Sequence, residues 1–174
     1  MLEIRPATET EYPAVKEFYD SLIEEMENAE FAPGWKRDIY PAPDFLIDSI
    51  QNDELYIGIA NNTIVSCMVL NRECNDGYKK VKWAVDVEDT GAIMIHALGV
   101  RPKFSGHGIA KDMVRKAFDI ARRHNISVLR LDVLQGNMPA VKAYRKMGFQ
   151  FRGTVQMFYE DTGWTNFEMF ECVI

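Results

Sequence analysis

The chain has few cysteines, no long apolar run and no excess of positive charge. Its three cysteines, Cys67, Cys74 and Cys172, form no Cys-x-x-Cys pair, so the sequence predicts neither a disulfide framework nor a metal site. No stretch approaches the roughly 20 apolar residues that cross a bilayer, and the first residues contain no apolar signal core. We therefore expect a reduced, cytoplasmic protein with no membrane partner.

The charge balance also restricts the partners that the chain is suited to bind. The formal net charge of -6 disfavours nucleic-acid binding, which needs a clustered basic excess, and it suits a neutral or cationic partner. The 174 residues contain no repeat, linker or low-complexity tract. A single domain spanning residues 1–174 is therefore expected.

Hydrophobic periodicity and turn residues predict a mixed α/β chain. A capping box of Thr8 and Glu11 starts the first helix, and Asn61-Asn62 joins two strands in a hairpin. Val81–Val87 is a candidate extension of the sheet before a turn at Asp89–Gly91. The other expected elements are strands at 2–5, 55–60, 63–70, 92–100, 127–134, 149–159 and 164–173, and helices at 44–51, after residue 108 and at 138–147.

One of these strands leads into a glycine loop. Met94–Val100 breaks at Pro102 and continues through Ser105-Gly-His-Gly-Ile-Ala110 into an amphipathic helix. A helix N-terminus has unpaired backbone N–H groups and a partial positive charge, so this loop is suited to bind a phosphate. A dinucleotide-binding loop would have a third glycine at position 111, which is Lys111 here, and would normally begin the domain. The sequence therefore disfavours a dinucleotide-binding site.

The helix after this loop leads to a second buried-type strand, which predicts two parallel strands joined by a crossover. This second strand is followed by Asn137, by Tyr144 seven residues later, and by Gly148-Phe149. Together with the loop Ser105–Ala110, this pattern resembles the GNAT superfamily of N-acetyltransferases. The resemblance implies a mixed, mostly antiparallel sheet with one parallel β-α-β crossover, flanked by about four helices. It covers nearly the whole chain.

The resemblance also implies acetyl-CoA as the cofactor. The implied contacts are Leu98, Gly99 and Val100 along the pantetheine arm, Ser105, Gly106, His107, Gly108, Ile109, Ala110 and Lys111 around the pyrophosphate, and Asn137 and Tyr144 beside the arm and the sulfur. Ser105 departs from the family pattern, which has Gln or Arg at this position. Backbone N–H groups supply most of such a cradle, so we expect acetyl-CoA to bind despite this change.

Acetyl transfer to an amine needs an acid for the departing thiolate and, when the amine arrives protonated, a base. Tyr144 is the candidate acid. Asp132, near the end of the second strand, and His96, inside the first, are the candidate bases. Each candidate base has a structural alternative. Asp132 would instead pair with Arg130 or another cation, and His96 would instead be a hydrogen-bonded structural residue. A bulge, common in this strand of the family, would change the face on which His96 lies.

Aromatic residues provide the main evidence about the acceptor. Trp35, Tyr78, Trp83 and Tyr159 are the candidate acceptor-binding residues, and Glu160 and Asp161 add negative charge. Aromatic faces and carboxylates suit a cation, so a small primary amine is the favoured acceptor. The alternatives are a peptide N-terminus or lysine side chain and, in a different class, a noncatalytic acyl-CoA sensor. A homodimer is also compatible with the sequence.

Overall fold

The computed structural model describes residues 2–88 and 91–174, so Asp89 and Thr90 of the predicted turn lie outside the described residues. The described residues form seven strands and four α-helices. The strands are β1 (Glu3–Pro6), β2 (Leu55–Ala60), β3 (Thr63–Asn71), β4 (Ile93–Val100), β5 (Val128–Leu134), β6 (Gln150–Tyr159) and β7 (Gly163–Val173). The helices are α1 (Tyr12–Met26), α2 (Pro43–Gln51), α3 (Ile109–Arg123) and α4 (Met138–Lys146). No helix within the described ranges is long and apolar enough to cross a membrane.

The strands form one sheet in the order β1-β2-β3-β4-β5-β7-β6. Strands β4 and β5 are parallel and are joined through α3, whereas the other neighbouring pairs are antiparallel. The expected fold class, a mostly antiparallel sheet with one parallel crossover and about four helices, is confirmed.

Helices cover both faces of this sheet, which explains the continuous apolar run in β3. Successive side chains of a strand point to opposite faces. Cys67 and Val69 accordingly pack with α1 and α2, whereas Met68 and Leu70 pack with α3. The sheet therefore has an apolar core on each side, as expected for strands buried on both faces.

The expectation that Val81–Val87 extends the sheet is wrong. Its alternating apolar residues pack against the sheet beside Met94 and Met169, and the segment forms no strand. Buried side chains replace strand hydrogen bonds here. Arg130 donates to the Val85 carbonyl at 2.7 Å, and the Ala84 N–H donates to the carboxylate of Glu171 at 2.9 Å.

The two parallel strands separate soon after they pair. Only Ile93 and Met94 of β4 are in register with β5. Opposite β3, β4 has a bulge, because His96 pairs with Val69 and Gly99 with Cys67. A cleft opens between the strands beyond this point.

Candidate active site

The cleft between β4 and β5 has a volume of about 110 Å³. Five parts of the fold contribute to it: the first long loop, which joins α1 to α2 (residues 27–42), the bulge of β4, the end of β5, α4 and the β6–β7 hairpin. Its lining residues are Pro33, Trp35, Tyr40, Ile95, His96, Ala97, Leu98, Asp132, Val133, Leu134, Asn137, Ala140, Tyr144, Tyr159, Asp161, Thr162 and Phe167. The proposed acid and both candidate bases therefore share one cleft.

A buried tyrosine that is not among the predicted site residues holds the bulge. Ala97 has a φ of +49°, a left-handed conformation that is uncommon for residues other than glycine. The hydroxyl of Tyr19, on α1, donates to the Ala97 carbonyl at 2.8 Å. The two residues are 78 positions apart, so only the tertiary fold reveals this contact.

Among the residues that the structure describes, two tyrosines and no cation hold Asp132. The hydroxyls of Tyr78 and Tyr159 donate to its Oδ2 atom at 2.8 Å and 2.9 Å. Arg130, the suggested ion partner, instead pairs with Glu171 at 3.1 Å, so that alternative is wrong. Burial raises the pKa of Asp132, while the two tyrosine hydrogen bonds act in the opposite direction. A carboxylate of raised pKa in a cleft is suited to accept a proton.

His96 forms structural hydrogen bonds, which is the alternative to its role as a base. Its Nε2 atom lies 2.9 Å from the Asn71 side-chain oxygen and 3.0 Å from the Glu73 carbonyl. Both neighbours are acceptors, so Nε2 carries the proton. Burial lowers the pKa of His96 to about 4. The imidazole is therefore neutral and only weakly basic at neutral pH.

Tyr144 lies on α4, with its ring 5.6 Å from that of Phe149. Burial, followed by the charge of Asp132, raises the pKa of Tyr144 above that of an ordinary tyrosine. The phenol consequently remains protonated at neutral pH. It is available as a donor to a group bound in the cleft.

The glycine loop lies outside the lining of the cleft, beyond the end of β4. Gly106 and Gly108 have φ values of +80° and +81°, and a Cβ atom at either would meet no protein atom within 4 Å. Gly108 precedes the first residue of α3, and no side chain in the described part of the chain caps this helix. The loop thus presents a helix N-terminus to open space, the geometry that favours an anion.

The side chains of this loop contribute unequally to its exposed surface. Ser105 and Lys111 are exposed, Ala110 is half-buried, and Ile109 is buried in the core beneath α3. The exposed His107 folds back, with Nδ1 3.2 Å and 3.0 Å from the carbonyls of residues 104 and 105. The backbone and the exposed side chains are therefore the groups available to a phosphate.

The remaining predicted cofactor residues link the loop with the cleft. Leu98 lines the cleft, and Gly99 and Val100 continue β4 toward the loop. A Cβ atom at Gly99 would lie 2.5 Å from a methyl group of the buried Leu22, so a larger residue there would force the Leu22 side chain to shift. Asn137 lines the cleft and accepts from the Ala140 N–H at 3.4 Å at the start of α4.

The predicted acceptor residues separate into two groups. Trp35 and Tyr159 line the cleft, and Tyr40 lies between them, with ring centroids 6.0 Å and 6.2 Å away. Tyr78 is buried behind Asp132, and Trp83 lies outside the cleft with its ring 4.4 Å from the Arg130 guanidinium carbon. The sequence therefore identified the aromatic segments but not which of their members reach the cleft.

The negative charge of the last hairpin is also divided. Asp161 is buried and lines the cleft, whereas Glu160 is exposed. Phe158 and Trp164 are exposed and pair with each other, with ring centroids 5.8 Å apart. Within the ranges that the structure describes, no cluster of side chains is arranged to hold a metal ion. The lining residues include no lysine or arginine, so the cleft has acidic and aromatic walls.

The fold places a cleft that contains the candidate base Asp132 and the candidate acid Tyr144 near an exposed helix N-terminus, which lies beyond the end of β4. The sequence model of the acetyltransferase (GNAT) family matches residues 16–149, about three quarters of the chain. This range contains the bulged strand, the glycine loop, Asp132 and Tyr144. The chain belongs to this family.

Two curated relatives match part of the chain. The streptothricin acetyltransferase of Streptomyces lavendulae is 39% identical over 70 residues, which are 40% of this chain and 37% of that protein. The N-alpha-acetyltransferase RimI of Mycobacterium tuberculosis is 35% identical over 69 residues, which are 40% of this chain and 42% of that protein. Each match thus spans about two fifths of the relative's own length.

A solved structure matches over nearly the full length. A GNAT-family acetyltransferase from Streptococcus agalactiae superposes with a TM-score of 0.81 at 20% identity, covering 99% of this chain and 95% of that one. At this identity the match supports the fold.

Proposed function

We propose that this protein is an acetyl-CoA-dependent N-acetyltransferase that transfers the acetyl group directly to a primary amine of a small molecule. The observation that carries the proposal is the single cleft that contains the bulge of β4, Asp132 and Tyr144. Membership of the acetyltransferase (GNAT) family supports the reaction class.

The proposed cofactor site runs along β4 from the cleft to the glycine loop. The backbone of Leu98, Gly99 and Val100 would pair with the pantetheine arm, because β5 pairs with this strand at Ile93 and Met94 and not at these three residues. Gly106–Lys111 would hold the pyrophosphate with the N–H groups at the start of α3. Asn137 would contact the arm, and Tyr144 would lie near the sulfur.

A base is needed because a lysine-like amine is mostly protonated. With a pKa of about 10.4, roughly one molecule in a thousand is neutral at pH 7. Asp132 would accept this proton, since its pKa is raised and its carboxylate has no cationic partner among the described residues. His96 is the weaker candidate, because its pKa is about 4 and Nε2 already donates to two oxygens.

Acetyl-CoA supplies an activated thioester, whose carbonyl becomes a tetrahedral oxyanion when the amine attacks. A backbone N–H of β4 near Leu98 would stabilise this negative charge without moving. Tyr144 would donate its proton to the departing sulfur, because this residue lines the same cleft and its phenol is protonated at neutral pH.

The cysteines are poorly placed for an acyl-enzyme. Cys67 and Cys172 are buried, and burial raises the pKa of both thiols. A thiol of raised pKa contains little of the nucleophilic thiolate at neutral pH. Cys74, which is half-buried, is not among the residues that line the cleft. These placements support direct transfer to the amine.

A small acceptor is favoured over a peptide because aromatic rings bridge the two walls of the cleft. Trp35 and Tyr40 come from the first long loop and Tyr159 from β6, and their ring centroids form a chain with 6 Å steps. Aromatic faces and the carboxylates of Asp132 and Asp161 suit an amine that arrives as a cation. The relative named streptothricin acetyltransferase supports a small molecule, and the relative named RimI supports the peptide alternative.

The test is CoA release from acetyl-CoA with a panel of small primary amines and a matched panel of peptides. We expect saturable turnover with at least one small amine, formation of its N-acetyl product, and peptide rates at least tenfold lower. Faster turnover of peptides would establish the alternative acceptor class. Saturable acetyl-CoA binding without turnover of either panel would indicate a noncatalytic sensor.

A further inference from the structure

Two tyrosine hydroxyls converge on one oxygen of Asp132. Tyr78 reaches Oδ2 from the 3₁₀ turn Asp76–Lys80, and Tyr159 reaches the same atom from the end of β6. The two donors come from opposite directions along the chain, 54 residues before and 27 residues after Asp132. Neither of these two tyrosines donates to the other carboxylate oxygen, Oδ1.

Each tyrosine is itself held in place by a second aromatic ring. The Tyr78 ring lies 5.7 Å from that of Trp83, whose Nε1 donates to the Tyr78 carbonyl at 3.1 Å. The Tyr159 ring lies 5.0 Å from that of Phe167. Tyr78 is 1% exposed and does not line the cleft, whereas Tyr159 does. Tyr78 therefore touches Asp132 without reaching the acceptor space.

We infer that Tyr78 is a positioning residue which, together with Tyr159, fixes the Asp132 carboxylate so that Oδ1 receives the proton of the acceptor amine. The inference rests on the proposed function, because it assigns Asp132 as the base. Two hydrogen bonds to one oxygen restrict rotation of the carboxylate about its Cβ–Cγ bond. They also favour its ionised form, which is the form that accepts a proton.

Among the described contacts, the other groups that face Asp132 do not supply a hydrogen bond to it. Asp161, in the β6–β7 turn, is a like charge that disfavours ionisation of Asp132. Tyr40, from the first long loop, and Tyr144, from α4, feel the Asp132 charge without donating a hydrogen bond to it among the described contacts. Loss of the Tyr78 hydroxyl should therefore raise the pKa of Asp132 further.

The experiment is the Tyr78→Phe variant of the full chain, with kcat/KM for the best small amine measured from pH 5 to pH 10. Loss of one charge-assisted hydrogen bond should move the acidic limb upward by about one pH unit. The high-pH plateau should stay within about threefold of wild type. Tyr56→Phe is the matched control, because this half-buried tyrosine of β2 lies outside the cleft. An acidic limb at the same pH as in wild type, whatever the rate on the plateau, would overturn the inference.

A titration of the Asp132 carboxyl by ¹³C NMR, assigned with Asp132→Asn, tests the same contact without turnover. A higher pKa in Tyr78→Phe supports the inference even if every amine fails to react, which separates it from the proposed function. An unchanged pKa overturns it. Should Tyr78→Phe fail to fold, Tyr159→Phe provides the same titration, because its hydroxyl donates to the same oxygen.

Discussion

Replacing Asp132 with asparagine removes the proposed base and keeps the shape of the site. The side-chain oxygen of asparagine can still accept from Tyr78 and Tyr159, so the hydrogen bonds that hold this position need not be lost. What disappears is the capacity to take a proton from the amine. Asp132→Asn therefore tests the chemistry separately from the packing.

The expected loss follows from the acid–base balance at neutral pH. A general base contributes about 10²- to 10⁴-fold, and a lysine-like amine is about one part in a thousand neutral at pH 7. We therefore expect kcat/KM to fall by about 10³-fold at pH 7 in Asp132→Asn. The deficit should narrow toward pH 10, where a larger fraction of the amine is already neutral.

The assay is a pH profile of CoA release for wild type, Asp132→Asn and His96→Gln. His96→Gln should keep the wild-type shape above pH 5, because the pKa of His96 is about 4. A rate for Asp132→Asn within threefold of wild type at pH 7 would refute the base assignment. Loss of the acidic limb in His96→Gln alone would transfer the role to His96.

Asp132→Asn should also change the stability of the protein. Burial raises the folded-state pKa of Asp132 above its unfolded value of about 3.9, so the folded state binds the proton more tightly. Wild-type stability should therefore decrease as the pH rises from that unfolded value through the folded pKa. Asp132→Asn should lack this decrease and melt at a higher temperature at pH 7.5. This gain would oppose its loss of activity, a common trade-off at active sites.

Three further variants test other parts of the account. Tyr144→Phe should lower kcat by about 10²-fold and leave the acetyl-CoA Kd within about twofold, because only the proton donor is lost. Gly108→Ala should weaken acetyl-CoA binding at least tenfold, since the added methyl group projects into the proposed phosphate space. Gly163→Ala is the control for backbone strain, because Gly163 has a φ of +66° and equally open surroundings. Glu171→Gln should lower the free energy of unfolding by about 3 kcal/mol, because Arg130 then keeps a buried charge without its carboxylate.

A different result would contradict each of these three predictions. An unchanged kcat would remove Tyr144 from the acid role. Equal losses of acetyl-CoA affinity in Gly108→Ala and Gly163→Ala would assign the effect to strain. Glu168→Gln is the control for Glu171→Gln, because Glu168 is a half-buried residue of β7 without an ion pair among the described residues. Equal melting temperatures of the two variants would show that the buried ion pair adds no stability.

Local sequence signals predicted most of the fold because they act over a few residues. Asn61 and Asn62 adopt φ values of +50° and +58°, as a tight hairpin requires, and β2 and β3 lie within one residue of their predicted ends. The prediction for Val81–Val87 is wrong because an alternating apolar pattern suits either a strand or a segment that covers a sheet. The choice depends on Arg130 and Glu171, more than 40 residues away, whose side chains satisfy the segment's backbone.

Part of the candidate site is also predictable from the sequence. Motif spacing identified Asp132, Asn137 and Tyr144, and the structure places all three in one cleft. The two tyrosine contacts of Asp132 could not be found this way, because Tyr78 and Tyr159 meet it only through the tertiary fold. The Asp132–Arg130 alternative failed for the same reason, since Glu171 reaches Arg130 from β7.

The most direct test of direct transfer is a single-turnover reaction with labelled acetyl-CoA and a reactive small amine, quenched at short times and resolved by mass spectrometry. The account predicts that the label moves to the amine with no acetylated protein along the way. Rapid formation and decay of an acetylated cysteine, at Cys74 or at the buried Cys67 or Cys172, would contradict it.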